Sequence, residues 1–517
     1  MKDLFRLTII IFQITLFVTT TFAQDQTEER ITDYLSMGNY KAAIPLYQKL
    51  IKKNPNDLEL KYNLGKCLLK TKGSPKEIIN LIEPALPALK QEAEPYYYLG
   101  QAYQHDLQFD KAIEYYIKAR IDADKNLAPI VERQIETCLH AKELVKYPIN
   151  VSFTNLGSPI NTEFPDYYPI TPDDESLLIF TSRRAERPGA RPEMDGYYSS
   201  DIFTATPKDG KWIEPKSIGT NINTKYDEQA VGISPDGKKL TVYIDHIDSL
   251  GNLYLTEPNP TTGGYKKIVR LDSKINEGFE TSGSMNDAGD VFVFASKRKE
   301  GAGEKDIYII RKLSNGKWAK PQDLGENINT KYNEDFPHLS KDGNTLYFAS
   351  EGHSSMGGYD LFKSEWNDAQ KAWSDPQNLG YPINDTYDNE NISIVSGGAY
   401  AYVSAIREGG FGDRDIYKIK FNDVDTRYCI ITGYVTTSDS SDVPIKISIL
   451  ASKPESKEVL KFVPVQKTGK YVMALTPGNY TILIKAEGYE EIQAPFVIYD
   501  LPFQPERAKD FSLKRKP

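Results

Sequence analysis

The chain of 517 residues contains few of the residues on which metal sites, disulfide frameworks and catalytic centres depend. Its three cysteines, Cys67, Cys138 and Cys429, are odd in number and widely spaced, which predicts neither a disulfide framework nor a zinc site. Its five histidines are scattered, and the sequence has no metalloprotease, esterase or Walker-type motif. We therefore expect no enzyme activity, no metal and no cofactor.

Positive charge is also limited, because 63 Lys and Arg residues face 72 Asp and Glu residues and give a formal net charge of -9. This balance argues against generic nucleic-acid binding. Hydrophobic residues make up 39% and charged residues 26% of the chain, as is typical of folded proteins rather than of disordered or membrane proteins. A chain of this length is expected to form about three domains rather than one core.

The long apolar stretch of the sequence lies at its N-terminus. Lys2 and Arg6 precede an apolar stretch over residues 7–18, which is followed by Ala23. This pattern predicts a secretory signal peptide over residues 1–23. An uncleaved anchor is the alternative, but the stretch is shorter than the ~20 residues that a membrane-spanning helix needs. We expect cleavage, export and no transmembrane segment in the mature chain.

Residues 24–146 carry helical motifs that recur at a period of about 34 residues. Residues 38–44 and 109–113 share one motif, and Leu64-Gly65 and Leu99-Gly100 share another. These motifs resemble tetratricopeptide repeats and imply an α-helical solenoid of three repeats with an added capping helix. By the repeat pattern, the groove of this solenoid would present a set of aromatic and polar side chains suited to peptide capture: Tyr62, Lys66, Tyr97, Gln101 and His105.

The dipeptide Ile-Asn recurs five times after this region, at intervals of 62, 53, 53 and 55 residues, beginning with Ile160, Ile222, Ile275, Ile328 and Ile383. A fixed period of this size is typical of a structural unit that stacks against copies of itself. In each copy, tight-turn signals separate short runs rich in aromatic and β-branched residues, which predicts four antiparallel strands. Residues 147–421 are therefore predicted to form a five-bladed all-β propeller.

The fifth copy ends after its third strand, whereas residues 150–157 align with the fourth strand of the other copies. We therefore expect residues 149–156 to pair beside residues 415–420. Such a pairing would close the ring with an N-terminal strand and would leave no blade edge exposed.

The S-x-D-G, F-x-S and D-I-Y motifs of the copies resemble the PD40 repeats of TolB-type and WD40-like propellers. Residues 428–517 alternate as in a small β-sandwich, and the strings around residues 468–489 resemble the carboxypeptidase-regulatory-like domain. This order of parts is similar to OmpA-family envelope proteins of Bacteroidota associated with type IX secretion and gliding.

The resemblance implies a non-catalytic scaffold or adaptor in the periplasm or on the periplasmic face of the outer membrane. Its expected partners are envelope proteins or peptide segments, not nucleic acid. Because the sequence carries no OmpA-like domain, direct peptidoglycan binding is not expected.

One candidate site is a column of acidic residues before the innermost strand of each copy. Alignment on the ends of the second strands selects Asp166, Glu228, Glu280, Glu334 and Asp388, which would surround one mouth of the central channel. Such a ring could bind a cation or a basic peptide. We favour the structural interpretation, in which each carboxylate accepts backbone N–H groups and stabilises the ring. A propeller that binds or hydrolyses a sugar or peptide with these acids is the alternative function.

A second candidate site is formed by the loops between the second and third strands, which should lie on the same face. The loops of copies one and three are basic, and their residues would bind a charged partner or simply face solvent. The candidates are Arg183, Arg184, Arg187, Arg191, Lys297, Arg298 and Lys299.

Overall fold

The structure is a computed structural model that describes residues 26–89, 92–185, 191–246, 249–261, 263–422, 429–438, 446–454, 459–464, 469–499 and 507–516. The predicted signal peptide and Arg187 lie outside the described residues. No helix in the described part of the chain is long and apolar enough to span a membrane.

The N-terminal region is helical, as the repeat motifs predict. Asn39 and Asp57 cap two of its helices by accepting hydrogen bonds from the backbone N–H groups of Ala42 and Leu60. The helices are α1 (residues 26–36), α2 (Tyr40–Lys53), α3 (Leu58–Lys70), α4 (Pro75–Ile82), α5 (Ala93–His105), α6 (Phe109–Asp122) and α7 (Leu127–Leu144), with a 3-10 turn over Glu83–Ala88.

Glycines allow neighbouring helices of this region to pack closely. A Cβ atom on Gly65 would lie 2.6 Å from the Ile82 side chain, and one on Gly100 would lie 2.7 Å from the Tyr116 ring. Since real Cβ atoms do not approach other atoms this closely, glycine is required where α3 meets α4 and where α5 meets α6. The two Leu-Gly motifs of the sequence therefore mark close helix contacts.

The β-strands that follow form successive antiparallel sheets. Strand β1 (Val151–Asn155) precedes sheet 1. Sheet 1 contains β2 (Asp166–Ile170), β3 (Leu178–Ser182), β4 (Asp201–Ala205) and β7 (Lys216–Ser217), with a hairpin of β5 (Pro207–Lys208) and β6 (Lys211–Trp212). Sheet 2 contains β8 (Asp227–Ile233), β9 (Leu240–His246), β10 (Ser249–Thr256) and β13 (Val269–Arg270), with a hairpin of β11 (Pro258–Asn259) and β12 (Gly264–Tyr265).

The next three sheets repeat this order of strands. Sheet 3 contains β14 (Phe279–Met285), β15 (Val291–Lys297), β16 (Asp306–Arg311) and β17 (Gln322–Asp323). Sheet 4 contains β18 (Glu334–Leu339), β19 (Thr345–Ser350), β20 (Asp360–Asn367), β21 (Ala372–Trp373) and β22 (Gln377–Asn378). Sheet 5 contains β23 (Ile392–Val395), β24 (Tyr400–Ala405) and β25 (Asp415–Phe421).

The fourth strand of sheet 5 is β1, from the other end of the β region. It pairs antiparallel with β25, with Val151 opposite Phe421 and Asn155 opposite Tyr417, which is the pairing that the repeat alignment predicts. Sheets 1 and 5 also contact each other directly, because the backbone N–H of Asp166 donates to the Arg414 carbonyl oxygen at 2.9 Å. The first and last sheets are thus neighbours in space.

The C-terminal strands form two small sheets around a separate apolar core that includes Ile449 and Ile482. One sheet contains β26 (Cys429–Thr437), flanked by β29 (Lys470–Leu475) and by the parallel strands β32 (Arg507–Ala508) and β33 (Phe511–Leu513). The other has the order β28 (Val459–Phe462), β27 (Ile447–Ser452), β30 (Gly478–Ala486) and β31 (Ile492–Ile498). Two small sheets around a shared apolar core, one mixed and one antiparallel, agree with the predicted β-sandwich.

Candidate functional site

The asparagine of each Ile-Asn dipeptide has the same structural role in all five copies. Its side-chain amide bonds both backbone groups of one residue in a third strand, with all ten N···O distances between 2.7 and 3.0 Å. We name these residues the connection asparagines: Asn161, Asn223, Asn276, Asn329 and Asn384, which bond Ile416, Ile202, Leu253, Ile307 and Leu361, respectively.

The connection asparagines are between 0 and 8% exposed, so they are structural residues rather than ligand contacts. Each one fixes the loop that leaves one sheet and enters the next. Asn161 does this between sheets 5 and 1, because its partner Ile416 belongs to β25.

Four of the predicted acidic residues, Asp166, Glu228, Glu280 and Glu334, are fully buried. Three of them accept hydrogen bonds from the backbone N–H and side-chain hydroxyl of a threonine four residues earlier in the chain. Glu280 instead accepts from the Gly278 N–H at 2.8 Å and the Ser296 hydroxyl at 2.7 Å. These carboxylates do not project into open solvent at a channel mouth.

Burial without full charge compensation disfavours the ionised form of these acids. It raises the pKa of Asp166 and of Glu280 above the usual range, and it raises the pKa of Glu334 to about 7. The Arg184 guanidinium partly offsets this effect at Asp166, which it contacts at 2.5 Å.

The prediction that Asp388 is the fifth member of the acidic column is wrong by one residue. Asp388 is partly exposed and lies 3.6 Å from the Arg414 guanidinium. The column position is occupied by Asn389, whose side chain accepts from the Asp385 N–H at 2.8 Å. Asn389 lies five residues after its connection asparagine, Asn384, just as Glu334 follows Asn329. Alignment on strand ends missed this position because Ala405, which pairs with Asp415 as Ser350 pairs with Asp360, is the equivalent strand end in copy five.

The predicted basic loops are largely engaged within the protein. Arg183 contacts Asp195 at 2.6 Å, and Lys297 pairs with Glu304. Arg191 and Lys299 are exposed, and neither side chain has a hydrogen-bond or ion-pair partner among the described residues. Among the members of the set that the structure describes, Arg191 and Lys299 therefore remain available to a partner.

Two other basic residues of the set have a buried structural role. Arg184 donates to the carbonyl oxygens of Pro159 and Ile160, and Arg298 donates to those of Lys274 and Ile275. In later copies, Arg407 and His353 bond the carbonyl oxygens that lie just before a connection asparagine, at residues 382 and 328. A shared Ser-x-Arg motif at residues 182–184 and 296–298 is the sequence signal for this role.

The helices pack across the face on which both candidate sites were expected. Met356, from the loop between β19 and β20, is fully buried within the hydrophobic core of the helical region. The Arg133 guanidinium donates to the carbonyl oxygens of Glu351 and Gly352 at 2.7 and 2.9 Å. Lys41 reaches the Glu163 carbonyl oxygen at 3.3 Å. The helical layer thus covers loops of sheets 1 and 4.

Of the predicted groove residues, His105 lies in this interface. Its ring stacks on Tyr387 with 4.2 Å between centroids, and its Nδ1 lies 3.1 Å from the Thr386 hydroxyl. Burial lowers the pKa of His105 to about 3, so the ring is neutral at physiological pH. The nearby cation Lys72 also lowers this pKa. His105 therefore connects α5 to the loop that enters sheet 5.

The other four groove residues lie on α3 and α5. Tyr62 and Lys66 both contact the Glu94 carboxylate, at 3.3 and 3.1 Å. Gln101 donates to the Tyr97 hydroxyl at 3.1 Å. These contacts lie within α3 and α5 and do not involve His105.

The space between the inner strands is occupied by aromatic rings and ion pairs. Tyr168 of sheet 1 contacts Phe336 of sheet 4, with 4.5 Å between ring centroids. Arg414 pairs with Glu390, and Lys305 pairs with the buried Asp335. These residues form a charged and aromatic cluster that the sequence did not reveal.

Comparison with known proteins finds one family that matches a short part of the chain and several remote structural likenesses. The tetratricopeptide repeat family matches residues 34–77. No curated protein matches the chain. Among solved structures, TolB from Acinetobacter baumannii is 15% identical and covers 57% of this chain and 71% of its own, with a TM-score of 0.32.

An endo-arabinase from Bacteroides thetaiotaomicron is 12% identical and covers 53% of this chain and 98% of its own, with a TM-score of 0.34. An α-L-arabinofuranosidase from Lactobacillus brevis is 13% identical and covers 53% and 93%, with a TM-score of 0.31. At these identities and TM-scores, the likenesses do not distinguish a binding protein from a hydrolase.

Proposed function

We propose that the protein is a non-catalytic scaffold of the cell envelope, in which the helices and a closed five-bladed propeller form one preassembled unit that binds other proteins or peptide segments. The burial of Met356 inside the helical core carries this proposal. Since a side chain of one part completes the core of the other, the two parts present a joint surface rather than two independent modules.

The closed ring rests on the pairing of β1 with β25 and on the five equivalent connection asparagines. A ring without free edges is a rigid support for loops. The resemblance to Bacteroidota envelope proteins favours a place in type IX secretion or gliding, in the periplasm or on the periplasmic face of the outer membrane, after removal of residues 1–23.

The unengaged cations Arg191 and Lys299 are the charges that this scaffold would offer to a partner on the face shared with the helices. Lys299 lies in the loop of sheet 3. An acidic segment of an envelope protein would complement both residues.

Affinity purification of the mature chain from envelope extracts, with crosslinking and mass spectrometry, tests the proposal. We expect specific envelope proteins on the wild type and their loss on the Arg191→Glu, Lys299→Glu double variant. Lys317→Glu, which reverses an exposed charge on a hairpin of sheet 3, is the matched control. Recovery of an unpartnered monomer after crosslinking would contradict a scaffold role.

The alternative is a propeller that binds or hydrolyses a sugar or peptide. The raised pKa of Glu334 is the observation that favours it, because a pKa of about 7 suits a general acid. Glu334 is fully buried and bonded to Thr330 and Ser350, which favours the scaffold instead. Turnover of a glycan or peptide panel by the wild type, abolished by Glu334→Gln, would establish the alternative.

A further inference from the structure

A cavity of 360 Å³ lies on the side of the β region opposite the helices. It is lined by the turn between β18 and β19 and by the neighbouring ends of strands in sheets 3 and 4. The helices contact the loops at the other end of these strands, so they do not cover it. Its volume falls within the range of ~300 to 1,000 Å³ that is usual for ligand pockets.

Apolar and aromatic side chains form much of the lining. Trp366 and Trp373 are opposite each other in the ladder of β20 and β21, and their rings meet edge to face with 5.4 Å between centroids. The indole N–H of Trp366 already donates to Asp368 at 3.1 Å. Met285 and Ile309 also line the cavity. Such a surface suits an apolar side chain, because aromatic residues in a pocket provide much of the contact energy of interfaces.

Some charged side chains at the rim of the cavity have partners within the protein, and others do not. Asp342 accepts bonds from Ser340 and Asn344, and Asp368 pairs with Lys371. In contrast, Arg311 and Lys341 are exposed, and their charged groups have no hydrogen-bond or ion-pair partner among the residues that the structure describes. The unengaged charges are therefore both positive, and a ligand with a carboxylate would complement them.

We propose that this cavity binds an extended peptide through a large apolar side chain and an adjacent carboxylate. The apolar side chain would contact Trp366 and Trp373. The carboxylate would accept two hydrogen bonds from the Arg311 guanidinium, whose planar shape matches carboxylate geometry. A neutral sugar would stack on an indole ring but would leave the cations unused.

This site is separate from the face that the helices share, and it does not rest on the scaffold proposal. It can therefore be tested with purified protein and short synthetic peptides. Two of the four tryptophans of the chain line the cavity, so intrinsic fluorescence reports on its occupancy.

The probe is acetyl-Gly-Ser-Gly-Ser-Leu as the free acid, titrated into the full mature chain. We expect a saturable fluorescence change, and binding at least about tenfold weaker for the C-terminal amide and for the peptide ending in Ser. Arg311→Gln should weaken binding of the acid by about the same factor and bring it to the level of the amide. Arg311→Lys should restore part of the loss, and Lys317→Gln is the matched surface control.

Circular dichroism and thermal unfolding establish that each variant is folded before titration. Equal responses to acid and amide, or full binding by Arg311→Gln, would overturn the proposal. A response to glucuronic acid without one to the peptides would make the cavity a site for acidic sugars instead. The absence of saturable binding by any probe would also refute it.

Discussion

Replacement of a connection asparagine should destabilise the whole β region by more than an ordinary polar substitution does. Asn329 is 2% exposed, and its side chain bonds the Ile307 N–H at 2.8 Å and the Ile307 carbonyl at 3.0 Å. Asn329→Ala leaves the Ile307 N–H buried without this partner, whereas the Ile307 carbonyl oxygen keeps the bond from the Leu324 N–H at 3.2 Å. At about 1 to 3 kcal/mol for the unsatisfied N–H and about 1 kcal/mol for the bond that the carbonyl loses, we expect a loss of about 2 to 4 kcal/mol in the free energy of unfolding.

Urea denaturation and thermal unfolding of the full mature chain measure this loss, which corresponds to a fall in Tm of roughly 5 to 15 °C for a domain of this size. Asn327→Ala is the control, because Asn327 is exposed and makes one hydrogen bond, to the Trp373 carbonyl. Asn161→Ala removes the same two bonds between the first and last sheets and should cost at least as much. Losses no larger than that of Asn327→Ala would refute the structural role of these asparagines.

Arg133→Ala removes the guanidinium that bonds the loop of sheet 4, so hydrogen exchange should accelerate in α7 and in residues 351–356. The control Glu136→Ala removes only a surface ion pair and should leave exchange there unchanged. Equal exchange in the two variants would contradict this role of Arg133. Burial lowers the pKa of His105 to about 3, below its unfolded value of ~6.5, so stability should fall as the pH drops from about 6.5 to 3. In denaturation curves, His105→Phe should make stability depend less on pH over this range. An unchanged slope would exclude His105 as the source of the dependence. Burial instead raises the pKa of Glu334 to about 7, so the wild type should lose stability as pH rises from about 4 to 7. The stability of Glu334→Gln should therefore increase relative to that of the wild type between pH 5 and 8. A stability difference that stays constant over this range would refute the shifted pKa.

The repeat made much of the β region predictable from the sequence. Equivalent residues in a repeated unit meet equivalent surroundings, so the Ile-Asn dipeptide located five similar units and the pairing of residues 151–155 with β25. The misplaced Asp388 shows where alignment fails. The second strand of copy five ends at Ala405, opposite Asp415, whereas the spacing from Asn384 to Asn389 equals that from Asn329 to Glu334.

The contact between the helices and the β region could not be predicted in the same way. Arg133 and Glu351 are distant in sequence, and neither belongs to a repeated motif. Met356 has the apolar character of any core residue, and nothing in the sequence shows that its core is that of another region. Such contacts depend on how two folded surfaces match, which periodicity does not encode.

Charge runs do not by themselves indicate which cations are available to a partner, because burial and pairing, not local density, determine this. Arg184 lies in the most basic run, yet its guanidinium is bonded to Asp166 and to loop carbonyl groups, so reversing its charge would break the fold. Arg311 stands alone in the sequence, yet its side chain is exposed beside two tryptophans. An exposed charge without an internal partner remains solvated and is free to form an ion pair with a partner protein. We therefore expect a partner to bind at unengaged cations next to apolar surface rather than at basic segments as such.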